Sequence, residues 1–197
     1  LEGGSIESDG MGTLLTTSEC LLSPNRNGQM DKTEIEEYLS SVFHINRILW
    51  LNHGYLAGDD TDSHIDTLAR LCSPDTIAYV QCTDQNDEHY EALRLMEDEL
   101  KGFCTANGNP YRLLALPMVD KIEEGERLPA TYANFLIMNK TILYPTYNQP
   151  ENDVCAKSVL EEAFPDYEIV GIDCRALIRQ HGSLHCVTMQ YPAGVLK

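Results

Sequence analysis

The chain has 197 residues, of which 43% are hydrophobic and 23% are charged, and its formal net charge is −17. This length and composition are typical of a globular protein with one or two domains. The acidic excess argues against nucleic acid or an anionic membrane surface as a partner, because both are bound through Lys and Arg, and no run of about 18 apolar residues is present to span a bilayer. A negative charge of this size suits a cationic ligand, and it serves solubility equally well.

The seven cysteines are spread singly and form no Cys-x-x-Cys pair. An odd number of isolated cysteines favours a reducing compartment, which we take to be the cytoplasm, and argues against a disulfide framework or a structural zinc site. The chain opens on Leu1 without an initiator methionine or a signal-like segment, which favours a fragment or a processed chain.

In chain order, residues 1–10 predict a loop that leads to a strand, and 12–17 follow as the next β-prone segment. A turn rich in Ser, Pro, Asn and Gly is predicted at 23–28. Asp31 then opens a helix as its N-cap, with Glu34 at the spacing of a capping box. Further strands are predicted at 46–51, 75–80, 111–116, 140–145 and 167–172, and further helices at about 88–104 and 154–163.

The order strand, polar turn, helix, strand occurs three times. Thr13, Thr76 and Thr141 stand at equivalent positions and are 63 and 65 residues apart. Repeated units that each have one apolar face would stack around an axis, with their turns converging at one end. The alternative is coincidence in an ordinary α/β protein, because few residues are identical between the units.

The segment 58–66 contains four carboxylates and one histidine in nine residues. Such a run cannot be buried unless its charges are paired. In an extended segment His64 and Asp66 project from the same face, so an acid–base group and an anion would face one pocket. The alternative is a solvated acidic loop with an exposed histidine.

A second candidate segment, 182–190, passes from a glycine turn into a β-prone run. Cys186 would then begin a strand, where its thiol can reach a cleft and become a nucleophile if a nearby cation or histidine lowers its pKa. His185 would point away, because neighbours alternate on a strand. The alternative for Cys186 is a small buried hydrophobe.

The sequence also predicts the surroundings of four other residues. Trp50 lies in an apolar strand and is predicted to belong to the core, while His44 and His89 lie at or beside predicted helices and are expected to be exposed. Asn134 could hydrogen-bond a substrate or close a turn.

Segments 2–6, 12–17, 58–66 and 182–190 together resemble the agmatine deiminase and bacterial-type peptidyl-arginine deiminase family of the guanidino-group-modifying pentein superfamily. The resemblance covers nearly the whole chain. It implies an α/β propeller built of five ββαβ modules, of which about three lie in this chain. Residues 1–197 would then form a single catalytic domain that corresponds to the C-terminal portion of the propeller.

The resemblance also implies a chemistry, which requires no metal or other cofactor. Cys186 matches the nucleophile that attacks the guanidinium carbon and forms a covalent amidino-cysteine. His64 matches the general acid–base, and Asp66 matches a carboxylate that holds two guanidinium N–H groups. Asp60 and Glu2 match acidic positions near the distal amine of agmatine. The implied reaction is hydrolysis of agmatine to N-carbamoylputrescine and ammonia.

Some features depart from the family pattern. Ser63 stands where glycine is usual and Met189 where glutamine is common. Family members are nearly twice this length, and their other guanidinium-binding aspartate lies in the first part, so we expect the isolated chain to need that N-terminal half and to be inactive alone. Homo-oligomers are common in the family.

Two alternatives to an agmatine deiminase remain open. A deiminase of free or peptidyl arginine would use the same mechanism, but its substrate adds an α-carboxylate that calls for Arg or backbone N–H groups. Asp60, Glu2 and the scarcity of basic residues favour the bare ammonium of agmatine. A non-catalytic module would instead use His64, Asp62 and Asp66, with Asp60, to bind a metal ion or a basic partner.

Overall fold

Nine strands form three separate three-stranded sheets in the described residues, 1–191 and 194–195, of the computed structural model. The strands are β1 (Ile6–Ser8), β2 (Thr13–Thr17), β3 (Arg47–Leu51), β4 (Ala69–Ser73), β5 (Thr76–Gln81), β6 (Arg112–Pro117), β7 (Leu136–Ile137), β8 (Thr141–Thr146) and β9 (Glu168–Asp173). The helices are α1 (Ser18–Leu21), α2 (Lys32–Phe43), α3 (Tyr90–Gly102) and α4 (Pro150–Ala163). No helix in this part of the chain is long and apolar enough to cross a bilayer.

The three sheets share one topology. In each, the first strand pairs antiparallel with the second, and a helix then leads to a third strand that pairs parallel with the second. Thr13, Thr76 and Thr141 each begin the middle strand and pair with the first residue of the third. The predicted repetition of strand, helix and strand is therefore confirmed. The short leading strands β4 and β7 were not predicted, because neither shows a clear alternation of apolar and polar residues.

The helix boundaries follow from local chemistry. The Asp31 carboxylate accepts the N–H of Glu34 at 2.9 Å, and the Glu34 carboxylate accepts the N–H of Asp31 at 2.8 Å, so the predicted capping box is confirmed. The last helix begins four residues earlier than predicted because Pro150 stands in its first turn, where its fixed φ suits a helix start.

Strand β2 is buried on both faces and joins two apolar clusters. Leu15 belongs to the larger cluster, which extends through all three sheets, whereas Leu14 belongs to a smaller cluster under α1 and α2. Trp50 lies in the smaller cluster, is 7% exposed, and donates its indole N–H to Glu36 at 2.7 Å. Its predicted place in the core is confirmed.

Candidate active site

The acidic segment after β3 is bent, not extended. The Asp59 carboxylate accepts the hydroxyl of Thr61 at 2.6 Å and the backbone N–H of Ser63 at 2.9 Å. Asp62 and Ser63 both adopt left-handed backbone conformations, with φ of 57° and 59°. The predicted extended conformation is wrong, because a short-range carboxylate interaction closes the chain into a turn.

The turn nevertheless places His64 and Asp66, the two predicted residues, at the same cleft. His64 is 8% exposed and Asp66 is 1% exposed, so neither lies in a solvated loop. With Glu2, Asp60 and Cys186 they line an open cleft of about 410 Å³. The structure thus brings all five sequence-predicted site residues to a single cleft, while Asp60 itself is exposed at its edge.

Asn134 organises the segment that holds Cys186. Its side chain is fully buried, and its Oδ1 accepts the backbone N–H of His185 at 2.8 Å and of Cys186 at 3.4 Å. Because this side chain occupies those backbone donors, residues His185–Val187 curl into a 3-10 turn, and the predicted strand at Cys186 is wrong. Cys186 remains exposed on the cleft, so it is not a buried hydrophobe, and its Sγ lies 3.5 Å from Asn134 Oδ1.

His185 points into the cleft, contrary to the prediction from strand alternation, because the turn replaces the strand. Its Nδ1 lies 2.7 Å from Asp66 Oδ2. Asp66 Oδ1 is buried without a hydrogen-bond partner, and no other buried side-chain nitrogen or oxygen in the described residues shares that condition. An unpaired buried acceptor costs about 1–3 kcal/mol, so this oxygen is suited to an N–H donor from a ligand.

The Glu2 carboxylate is hydrogen-bonded to the His64 ring across the cleft. Its Oε2 lies 2.7 Å from His64 Nε2 and also accepts a hydrogen bond from Arg26. The hydrogen bond from Arg26 lowers the pKa of Glu2, with a smaller contribution from His64. An ionised carboxylate at Nε2 favours the tautomer with the ring proton on that nitrogen, which leaves Nδ1 without a proton. The expected position of Glu2 near the distal end of a substrate remains a prediction.

Arg26 was missed by sequence reasoning. It lies in the polar turn after α1, and nothing in its spacing links it to residues 2 or 62. Its side chain meets them only in the folded chain.

The cleft is acidic, and its charge acts on Cys186. Among the described lining residues there is no Lys or Arg, while Glu2, Asp60 and Asp66 are all present. Protein atoms packed around the sulfur raise the pKa of Cys186, and the charge of Asp66 raises it further. The thiol of the free protein is therefore mainly protonated at neutral pH, and a cation bound beside it would favour the thiolate.

The ligands required by a metal-binding module do not come together. No group of three or more His, Cys, Asp or Glu side chains within residues 1–191 and 194–195 has metal-holding geometry. His64 faces Glu2, and Asp62 forms a salt bridge with Arg26 at 3.1 Å.

A buried histidine anchors the chain that enters the acidic turn. His89 is fully buried, and its Nε2 accepts the N–H of Ala57 at 2.7 Å while its Nδ1 lies 2.7 Å from Asp87. Burial lowers the pKa of His89, which matches a neutral ring with one donor and one acceptor nitrogen. The predicted exposure of His89 is wrong because these partners lie beyond its own helix, whereas His44 is exposed as predicted.

Comparison with known proteins identifies the class that this fold and cleft define. A family model described as Porphyromonas-type peptidyl-arginine deiminase matches residues 1–192, and the chain belongs to that family.

Individual relatives support this membership. A crystal structure from Porphyromonas gingivalis, provisionally assigned as an arginine deiminase, is 56% identical with a TM-score of 0.96, covering 98% of this chain and 57% of that one. The C. jejuni agmatine deiminase structure is 44% identical with a TM-score of 0.85, covering 94% of this chain and 54% of the other. A Marinomonas sp. (strain MWYL1) protein, provisionally named an agmatine deiminase, is 36% identical over 98% of this chain. The chain spans 56% of the length of that relative.

Proposed function

We propose that the protein hydrolyses the guanidino group of a small cationic substrate, with agmatine favoured, to N-carbamoylputrescine and ammonia. The observation behind the proposal is the unpaired Oδ1 of Asp66, which is buried in the cleft that also holds Cys186 and His64. A guanidinium group is planar and offers N–H donors at the spacing of a carboxylate. A donor bonded to Oδ1 would complete the hydrogen bonding of Asp66.

In the first half of the reaction the Cys186 thiolate attacks the guanidinium carbon, and a C–S bond forms. The bond from that carbon to the departing nitrogen then breaks, the nitrogen keeps the electron pair, and His64 supplies the proton with which ammonia leaves. The raised pKa of Cys186 in the free protein fits this order. Substrate brings its own positive charge beside the sulfur and offsets Asp66, so as the substrate binds the Cys186 thiol gives up its proton to His64 and the thiolate forms.

In the second half, water attacks the same carbon of the amidino-cysteine. His64 takes a proton from the water, the C–S bond breaks, and the electron pair returns to sulfur. The product is a urea, and Cys186 is regenerated. Glu2 at Nε2 of His64 favours this second half, because an ionised carboxylate stabilises the imidazolium formed when the base accepts a proton.

The charges of the cleft favour agmatine over arginine. The ammonium of agmatine is complementary to Asp60 at the cleft edge, whereas the α-carboxylate of arginine meets no Lys or Arg among the described lining residues. A deiminase of arginine or peptidyl arginine is the second candidate, favoured by the description of the matching family and by the similarity to the P. gingivalis structure.

The shared topology of the sheets supports a specific architecture. We infer that the three strand-strand-helix-strand units are three of the five modules of a pentein propeller. The second guanidinium-binding aspartate and the other two modules would come from outside these 197 residues, so the chain alone should release no ammonia.

The test is ammonia release from agmatine, arginine and an arginine peptide by the protein as its native gene encodes it. We expect agmatine to give the highest kcat/KM and Cys186→Ser to abolish the reaction. Cys155→Ser is a matched control, because Cys155 is also an exposed free thiol but does not line the cleft. Preference for the arginine peptide would establish the second candidate, and turnover by Cys186→Ser would contradict the mechanism.

A further inference from the structure

Arg26 connects three parts of the chain that build the cleft. Its guanidinium donates to the Glu2 carboxylate, to the backbone carbonyl of Thr61 at 2.7 Å, and to Asp62 Oδ2 at 3.1 Å. Its side chain is 21% exposed, so these contacts lie partly out of water. Glu2 belongs to the first residues of the chain, and the other two partners belong to the turn before His64.

The contact with Glu2 extends to the proposed base. The same oxygen, Glu2 Oε2, accepts from Arg26 and lies 2.7 Å from His64 Nε2. The Glu2 side chain is 55% exposed, so the protein packs little around it. Without Arg26 the carboxylate would keep only its hydrogen bond to the imidazole, and a single contact of an exposed side chain is weak.

We propose that Arg26 is a positioning residue that keeps Glu2 seated on His64 while it also closes the turn that delivers His64 to the cleft. The role of His64 as the base is part of the proposed function, and this inference rests on it. Arg26 touches neither the substrate nor the reacting atoms.

The position requires arginine specifically. A guanidinium presents five N–H donors in a fixed planar arrangement, so it can serve a carboxylate, a carbonyl and a second carboxylate together, whereas a lysine ammonium acts as a point charge. Glu2 and Asp62 neutralise Arg26 locally, so it can lie beside a cleft for cations without repelling them. Neither Arg26 nor any other arginine lines that cleft among the described residues.

Other ionisable groups surround this arrangement and bear on its pH dependence. Cys20 is buried next to Arg26, and burial raises the pKa of its thiol to about 11, so it stays neutral in the range of interest. The remaining ionisable neighbours of the turn and of His64 are Glu19, which accepts from Ser63 Oγ, His185, which contacts Asp66, and the carboxylates of Asp59, Asp60, Asp62 and Asp66. The carboxylates are all negative, and Arg26 balances part of their charge.

The kinetic test compares Arg26→Gln and Arg26→Lys with the wild type across pH. We expect kcat to fall about tenfold or more in Arg26→Gln while KM changes less than about threefold, because the base is affected and substrate contacts are not. The acid limb of kcat/KM should move to higher pH as Glu2 regains its ordinary pKa. Arg26→Lys should restore part of the pH profile. Arg94→Gln is the control, since Arg94 also pairs with two carboxylates but lies on the exposed face of α3.

A Glu2→Gln background separates positioning from general structural support. If Arg26 acts through Glu2, adding Arg26→Gln to Glu2→Gln should leave the acid limb where Glu2→Gln alone puts it. A further shift of the acid limb, or equal losses in kcat and 1/KM in Arg26→Gln, would overturn the inference.

A measurement that does not depend on turnover distinguishes failure of the proposed role of Arg26 from failure of the proposed function. NMR of ¹⁵N-labelled histidine should show a changed Nε2 resonance for His64 in Arg26→Gln compared with the wild type, since the ring loses its hydrogen-bond partner Glu2. An unchanged His64 Nε2 resonance would overturn the role of Arg26 even in an active enzyme. Absence of guanidino hydrolysis by the wild type would reject the proposed function, and the NMR spectrum would still decide whether Arg26 holds Glu2 on His64.

Discussion

Two buried carboxylates in this chain have opposite surroundings. Glu7 accepts from Arg70 Nε at 2.8 Å, and the two side chains are 8% and 4% exposed. Arg70 also donates to the carbonyls of Ala133 and Phe135, and its Cζ lies 4.7 Å from the centre of the Phe135 ring. The negative charge of Glu7 is therefore neutralised inside the protein by Arg70.

Asp66 has no such cation. Its Oδ2 contacts His185, while its Oδ1 has no partner among the described residues although it is equally inaccessible to water. Burial alone therefore does not mark a functional carboxylate. A carboxylate paired with a cation inside the fold contributes to stability. A carboxylate at the wall of a cleft with an oxygen that lacks a hydrogen-bond partner is available to a ligand cation.

The largest effect expected from this comparison is loss of activity in Asp66→Asn. Removing the charge should lower kcat/KM about 10³-fold, which corresponds to about 4 kcal/mol. The free energy of unfolding should change by less than about 1 kcal/mol, because the Asn oxygen can still accept from His185. Parallel ammonia-release assays and urea melts measure both quantities, and Glu7→Gln is the matched control. A variant that is unstable yet fully active when folded would remove the distinction between the two carboxylates.

Arg70→Met should show the reverse pattern. It leaves Glu7 buried without its cation, so the free energy of unfolding should fall by about 3–5 kcal/mol. Activity per folded molecule should stay close to that of the wild type. Urea is the suitable denaturant, because guanidinium is itself the cation proposed to bind Asp66. Adding Glu7→Leu to Arg70→Met should recover much of the loss, and failure to do so would show that the pair is not what stabilises this region.

A smaller effect is expected on the thiol beside Asp66. The pKa of Cys186 is raised by the protein atoms packed around its sulfur and by Asp66, so its alkylation by iodoacetamide should reach half its maximal rate at a pH above the ordinary thiol pKa of about 8.5. Asp66→Asn removes a negative charge and should shift this midpoint to lower pH. Glu7→Gln should not shift it. Peptide mass spectrometry resolves Cys186 from the other exposed thiols, and equal shifts in both variants would contradict the local origin of the effect.

The smallest effect is expected at the turn that leads to Asp66. Ser63→Gly removes the strain of a left-handed residue, about 1 kcal/mol, and loses the hydrogen bond from Ser63 Oγ to Glu19 at 3.0 Å, also worth about 1 kcal/mol. The free energy of unfolding should therefore change by less than about 0.5 kcal/mol. Ser63→Ala keeps the strain and loses only the hydrogen bond, so urea melts should show it to be the less stable variant. Equal stabilities would mean that the strain is negligible.

Local sequence signals predicted most of the repeating framework. The capping box at Asp31 and Glu34 and the spacing of Thr13, Thr76 and Thr141 act within one segment or recur from unit to unit, so they are visible without a structure. The residues gathered at the cleft were also predicted, from their chemical types and from the family resemblance.

The orientation of those residues could not be predicted, because it depends on partners far along the chain. His185 turns toward Asp66, 119 residues away, since Asn134 holds its backbone in a tight turn. Arg26 meets Thr61, 35 residues away, only after both loops are formed. Alternation along a strand describes none of these contacts, and for that reason the predictions for His185 and for the strand at Cys186 were wrong.

The most direct test of the central claim is mass spectrometry of the protein quenched with acid at intervals during turnover of agmatine. We expect a single amidino adduct on the peptide that contains Cys186, present in the wild type and absent from Asp66→Asn and Cys186→Ser. Product formed without any adduct on Cys186, or an adduct that forms equally well in Asp66→Asn, would contradict the claim that Asp66 holds the guanidinium for attack by this thiol.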